Sequence, residues 1–114
     1  IYETVLGKEH PTVAGCYNNK GISLTMLRRY DEAFACLETA RKIQEEVLGM
    51  MNASTANTYH SIAMLYYAKK QYLTAQFWCN KAKEIREKLY GVNSPITNKS
   101  ILLYEEIMKK MKTE

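Results

Sequence analysis

Nothing in this sequence approaches a membrane span: no apolar run nears the roughly 20 residues a helix needs to cross a bilayer. No signal peptide is visible, but the chain opens at Ile1 inside a recurring phrase and reads as a fragment of a longer protein, which leaves its targeting open. Proline and glycine are scarce, two and five in 114 residues. With 46% apolar and 25% charged residues, that argues against disorder over most of the length. A chain of this size is one domain at most. The three cysteines, Cys16, Cys36 and Cys79, are odd in number and form no CxxC pair. This argues against a disulfide framework and for buried free thiols in a reducing, cytoplasmic setting.

The signatures of catalysis are missing too. There is no glycine-rich phosphate loop and no metal motif. His10 and His60 are not at ligand spacing, and His10 falls where a helix would be capped. Cys16 has no histidine on an adjacent turn, and Glu105 and Glu106 point to different faces of one helix, so they cannot work as an acid/base pair. No enzyme activity, metal or cofactor is expected. The net charge of +4 is modest. Bases and acids interleave in ETARKIQEE and NKAKEIREK, placing Glu38 before Lys42 and Glu84 before Lys88 at the favourable helical spacing. This predicts a solvated, ion-paired helix face and argues against nucleic-acid binding. The locally basic sites are Arg28-Arg29 and Lys69-Lys70, both in short turns, and Lys109, Lys110 and Lys112.

What the chain does have is a repeat. IYETVLG, IQEEVLG and IREKLYG begin at Ile1, Ile43 and Ile85, 42 residues apart. Laying one unit on the next aligns Ala14 with Ala56, Tyr17 with Tyr59, Tyr30 with Tyr72, Ala33 with Ala75 and Ala40 with Ala82. Each unit reads as two helices. The first pair is expected at about Thr12–Arg28 and Asp31–Val47, the second at about Ala53–Lys69 and Leu73–Leu89, and a lone fifth helix at about Pro95–Lys112. His10, Asn52 and Ser94 precede the first helix of each unit, and Asn and Ser are good N-caps. Pro11 and Pro95 sit at the first helical position, and Gly7, Gly49 and Gly91 follow the second helix, where a left-handed residue is wanted. Turns of two or three residues force antiparallel neighbours. Gly21, Ala63, Ala33 and Ala75 let the paired backbones approach closely, with Tyr17, Tyr59, Leu24, Tyr66, Tyr30 and Tyr72 filling the space around them.

On these residues YNNKGISLTMLRRYDEAFACLETARKI resembles the tetratricopeptide repeat, with Tyr17, Gly21, Leu24, Tyr30, Ala33, Leu37 and Ala40 at its consensus positions. The second unit matches with Tyr59, Ile62, Ala63, Tyr66, Tyr72, Ala75 and Ala82. The period exceeds the usual one of about 34 residues and is similar to the longer variety found in kinesin light chains. The resemblance implies an all-α fold of antiparallel helix-hairpin repeats, an α-solenoid winding into a right-handed superhelix. It divides the chain into the end of a preceding helix at residues 1–7, a repeat at 8–49, a repeat at 50–91 and a half repeat at 92–114. In the last unit Glu105 stands where Gly21 and Ala63 stand. A stripe of Ile101, Tyr104 and Met108 is expected to cover the second repeat, and Leu103 and Ile107 to form a second apolar face. The helix is either a natural cap, which repeat arrays need, or a truncated repeat, and the Leu103/Ile107 face is a candidate for homo-oligomer contacts.

The resemblance further implies that the first helix of each pair lines a concave groove. Carried over by position, the groove residues are Gly15, Asn18, Asn19 and Ile22, then Asn57, His60, Ser61 and Met64, then Lys99, Leu102, Leu103 and Glu106, with Tyr67 near the rim. Asn18-Asn19 is similar to a pair whose second Asn bonds the backbone of an extended peptide in the family; an amide offers a donor and an acceptor together. As plain exposed helix residues they would do nothing of the kind. His60 could donate to a carboxylate, or be an idle, partly buried ring. Members that clamp a chain-terminal carboxylate use Lys, Arg and Asn here; Ile22, Ser61 and Leu103 do not fit, and only Asn19 and Lys99 do. With Met64, Leu102 and Leu103 in it, the groove would suit a peptide with hydrophobic anchors. The expected function is a protein-interaction or adaptor module that binds a protein or peptide partner. The alternative is a structural or self-association segment of a larger regulatory protein.

Overall fold

Local signals decide where the helices start and stop. The structure, a computed structural model, describes residues 11–113. Over that span five helices follow one another: α1 Pro11–Met26, α2 Tyr30–Val47, α3 Ala53–Ala68, α4 Tyr72–Tyr90 and α5 Pro95–Thr113. Asn52 is extended and its side-chain oxygen accepts from the Ser54 N–H at 2.8 Å, capping α3. Ser94 plays the same part for α5, its Oγ accepting from the Ile96 N–H at 3.3 Å. Gly49 and Gly91, with φ of +83° and +87°, turn the chain out of α2 and α4. The expected helix end at residues 1–7 and the cap at His10 lie outside the described residues.

The turns inside each hairpin carry a feature that the glycine pattern does not announce. Arg28 and Lys70, at equivalent positions, have φ of +63° and +65°. The Arg29 N–H bonds the Leu24 carbonyl at 2.9 Å and the Arg28 N–H bonds that of Thr25 at 3.0 Å; Gln71 and Lys70 do the same on Tyr66 and Tyr67. This is a Schellman closure with a basic residue in the place glycine usually takes. A left-handed residue cannot continue a helix, so α1 and α3 end at Met26 and Ala68, short of the expected Arg28 and Lys69.

Packing then follows the repeat. α1 pairs with α2 and α3 with α4, while α3 also docks on α2 and α5 on α4. Leu24, Ala33 and Leu37 from the first hairpin enclose Ile62 and Leu65 of α3. Ala56 and Tyr59 of α3 meet Ala82 and Ile85 of α4. A Cβ added at Gly21 would lie 2.6 Å from both Cγ and Cδ2 of Leu37, which is the close approach expected there. Trp78 of α4, to which the sequence assigned no role, packs against both of these clusters and a third, its ring centroid 5.4 Å from that of Tyr59.

The last helix corrects one expectation and refines another. Thr97, Ser100 and Ile107 of α5 are buried, as are Thr55, Thr58 and Leu65 at the equivalent positions of α3. Ile107 is 0% exposed in a cluster with Ala63, Ala75 and Cys79, and Leu103, Tyr104 and Met111 pack beside it. The Leu103/Ile107 face is therefore covered by this chain's own α4 and is not a free self-association surface. The covering stripe is centred on Ile107, with Tyr104 and Met108 of the expected stripe half-buried beside it and both bonded by Gln76 of α4, because α5 docks on α4 with the same face that α3 turns to α2. Cys16 is also exposed, not buried, while Cys79 is buried and Cys36 half-buried.

The ionic face differs in detail. Arg41 bonds Glu38 at 2.6 Å and Glu45 at 3.0 Å, and Lys83 lies 3.6 Å from Glu87. The expected pairs, Glu38 with Lys42 and Glu84 with Lys88, are not among these; in the first case the planar fork of Arg41 reaches one turn in each direction and takes Glu38 and Glu45.

Candidate functional site

Three helices turn a row of side chains to one side. Asn18, Asn19 and Ile22 come from α1, Asn57, His60, Ser61 and Met64 from α3, and Lys99 from α5; together they line an open groove of about 410 Å³. Helical spacing explains the row: residues three and four apart share a face. Gly15, Tyr67, Leu102, Leu103 and Glu106 do not border this groove. Leu103 is half-buried against the core, and Leu102 is 53% exposed. The Tyr67 hydroxyl donates to Glu106 Oε2 at 3.3 Å, tying α3 to α5. The Ser61 hydroxyl is turned back to the Asn57 carbonyl at 3.0 Å. Asn18 is buried and its Oδ1 has no partner, whereas Asn19 is exposed.

The groove contains one residue that the sequence reading missed. Arg86, from α4, reaches its floor from behind and is 6% exposed. One terminal nitrogen donates to Ser100 Oγ at 2.9 Å and the other to Asn57 Oδ1 at 3.0 Å, so the guanidinium links α3, α4 and α5. The Nε group is buried without a partner, and none of the ion pairs among the described residues involves Arg86. Its loss of hydration pulls its pKa below the usual arginine value. A signal was available. Cys79, Ala82 and Arg86 share the i, i+3, i+7 spacing of one helix face, so the arginine lies on the apolar side of α4 and not on its ion-paired side.

His60 sits beside this cation. Its Nδ1 lies 3.1 Å from Ser100 Oγ and 3.4 Å from the Arg86 guanidinium. Arginine can only donate, so Nδ1 accepts and the ring proton belongs on Nε2. Burial, then the charges of Arg86 and Lys99, lower the His60 pKa to about 4. The ring is thus neutral when folded but charges near pH 6.5 when unfolded. The unfolded chain binds the extra proton, so stability is present above the unfolded value and is lost as pH falls from about 6.5 towards 4. At pH 5.5 the cost is expected to be about 1.4 kcal/mol. Urea unfolding of the chain and of His60→Gln at pH 7.5 and 5.5 checks this: the wild type should lose that much more than the variant.

Among the described residues no three His, Cys, Asp or Glu side chains gather as a metal site, and no helix is long and apolar enough to cross a membrane. Burial pushes the Cys79 thiol up to about 12, and its sulfur donates to the Ser100 carbonyl at 3.3 Å, so it is no nucleophile. A second depression, of about 590 Å³, lies along α4 between Leu73, Phe77, Lys81 and Tyr104.

Comparison with known proteins agrees with the fold. The family model described as the tetratricopeptide repeat matches residues 13–52 and 55–96. The Clustered mitochondria protein homolog of Candida albicans is 28% identical over 115 residues, covering 96% of this chain and 8% of its own length. That of Brugia malayi is 28% identical over 94 residues, 82% of this chain and 6% of its own. The chain thus spans less than a tenth of these curated relatives. The crystal structure of BtubC (BKLC) from P. vanneervenii superposes with a TM-score of 0.88 at 20% identity, over 97% of this chain and 44% of that one.

Proposed function

Because the chain belongs to the tetratricopeptide-repeat family, we propose that it is a protein-interaction module that seats an extended segment of a partner in the groove of α1, α3 and α5. The observation that carries this is the groove itself, where three helices of successive units bring eight expected side chains to one open channel. The lining is mixed in the way peptide recognition needs. Ile22 and Met64 offer apolar contact, while Asn19 and the Nε2–H of His60 offer hydrogen bonds to a main chain that arrives with its own donors and acceptors unpaired. The relatives are long proteins of which this chain spans a small part, and on this reading it is one binding module of a longer chain of that kind. Its unpaired thiols fit a reducing compartment such as the cytoplasm.

A peptide-display selection on the chain, run in parallel with Asn19→Ala, tests this. The expected result is a shared motif whose retention falls about five- to tenfold in the variant, the worth of one main-chain hydrogen bond. Absence of any enriched motif would overturn the reading. A second reading, a structural segment that meets further repeats or another copy, is favoured by Leu73 and Phe77, 71% and 56% exposed beside the depression on α4. Light scattering across a range of concentrations tests the arm of this reading in which another copy covers α4: a mass that rises with concentration supports it, and a constant monomer mass removes it.

A further inference from the structure

The array does not spread its charge evenly between its two edges. α1, α3 and α5 run side by side in one direction. His60 meets Ser100 at 3.1 Å and Tyr67 meets Glu106 at 3.3 Å, contacts with nearly the same sequence offset, and Leu24 of α1 packs beside Ile62 and Leu65 of α3. Their C-terminal ends therefore come out at one edge. Arg28 and Arg29 follow α1, Lys69 and Lys70 follow α3, and Lys109, Lys110 and Lys112 end α5. Arg28, Lys70 and Lys112 stand one repeat period apart. Of these cations Arg29 alone is in an ion pair among the described residues, with Glu32 at 2.6 Å. The first turn of α2 brings Asp31 and Glu32 to this edge, whereas α4 opens with no acid. The loops at the opposite edge, residues 48–52 and 91–94, carry no charged side chain.

The same left-handed backbone occurs at both edges but is filled differently. Gly49 and Gly91 take it at the uncharged edge, Arg28 and Lys70 at the basic one. A residue with a Cβ is strained there and glycine is not. In both units, then, a cation stands where fold stability alone favours glycine. The helix dipole accounts for cations in a last turn, but not for their apolar neighbours. Met26 and Leu27 are 78% and 65% exposed beside Arg28 and Arg29. We propose that this edge docks on the surface of a bilayer that contains anionic phospholipid, with its cations among the headgroups and Met26 and Leu27 at the acyl boundary. Packed helices lie about 8–10 Å apart, about one Debye length at moderate salt, so the cations of neighbouring ends act as one field. Headgroup attraction and apolar burial add in such a contact, which needs no membrane-crossing helix. A nucleic acid is a poorer match, because Met26 and Leu27 are aliphatic and give a base no ring to stack on. The edge shares no residue with the groove, so a bilayer and a partner segment do not compete for the same side chains.

The test is co-sedimentation of the chain with vesicles of phosphatidylcholine, alone or with about one-third phosphatidylserine. The chain is expected to bind the anionic vesicles and not the neutral ones. Arg28→Gly combined with Lys70→Gly removes two cations and relieves both left-handed positions. Binding should fall about thirtyfold, roughly fivefold for each cation, while the melting temperature does not fall. A merely structural role for these residues would not separate the two readouts in that way. Leu27→Ser should weaken binding about fivefold. Lys42→Gln with Lys88→Gln removes as much charge from exposed sites elsewhere on α2 and α4 and should leave binding unchanged. No binding to anionic vesicles, or equal binding to both kinds, overturns the proposal. So does an equal loss in the Lys42 and Lys88 variant, which would trace the attraction to net charge and not to this edge. Mixed-sequence single-stranded RNA is the last arm: RNA retained where anionic vesicles are not, and lost in the glycine variant, assigns the edge to nucleic acid and also overturns it. Should circular dichroism show that the glycine variant fails to fold, Lys109→Gln with Lys112→Gln at the exposed end of α5 makes the same comparison.

Discussion

Replacing Ile107 by Ala is expected to remove about 3–4 kcal/mol of stability, towards the upper part of the range for large-to-small changes in a packed core. The side chain is fully buried between Ala63 of α3 and Ala75 and Cys79 of α4. Two of these neighbours are alanines on rigid helices, so the space left behind cannot close by side-chain rotation, and the cavity cost adds to the lost transfer energy. Leu102→Ala, on the same helix but exposed, is the comparison and should change stability by less than about 0.5 kcal/mol. Urea unfolding followed by circular dichroism measures both. Near-equal effects would mean that α5 does not dock through Ile107. A large effect for Ile107 alone confines the self-association question to other surfaces, such as α4 around Leu73 and Phe77.

Gly21→Val should cost about 2–3 kcal/mol, from the crossing of α1 and α2. Even a single added carbon would lie 2.6 Å from Leu37, whose side chain is itself fully buried and has no room to retreat. A branched side chain must therefore push the two helices apart, and it also gives up rotamer freedom in a helix. Gly15→Ala is the counter-case. It lies on the same helix with nothing within 4 Å of the added carbon, so better helix propensity should stabilise the chain by about 0.5–1 kcal/mol. Opposite signs for two glycines on one helix, read in the same thermal melt, would establish that the close approach is specific to Gly21. Similar effects at both would remove the packing argument.

Most of the fold is legible in the residues alone because it depends on local chemistry repeated in register. Asn52, Ser94, Gly49 and Gly91 act at the helix ends as their types predict. The left-handed turns at Arg28 and Lys70 are not legible, since nothing in those side chains asks for a positive φ; the tight return between paired helices imposes it. The groove is legible only through the resemblance to the tetratricopeptide repeat, which turns the first helix of each pair to the concave side; helical period by itself says only that Asn18, Asn19, Ile22, Asn57, His60, Ser61 and Met64 fall on shared faces of α1 and α3. Its apolar character is overstated by position alone, which assigns Leu102 and Leu103 to it and omits Arg86.

By itself, then, the sequence determined the helices, their pairing and the family, through caps, short turns and small residues recurring every 42 positions. The tertiary structure decided which way each face looks once neighbours compete for it. Ile107 was taken by α4, Arg41 by two glutamates at once, and Arg86 was turned inward to a groove built by other helices. A residue's period places it on a face of its own helix; only the packing of a second and third helix determines whether that face becomes core, surface or the floor of a site.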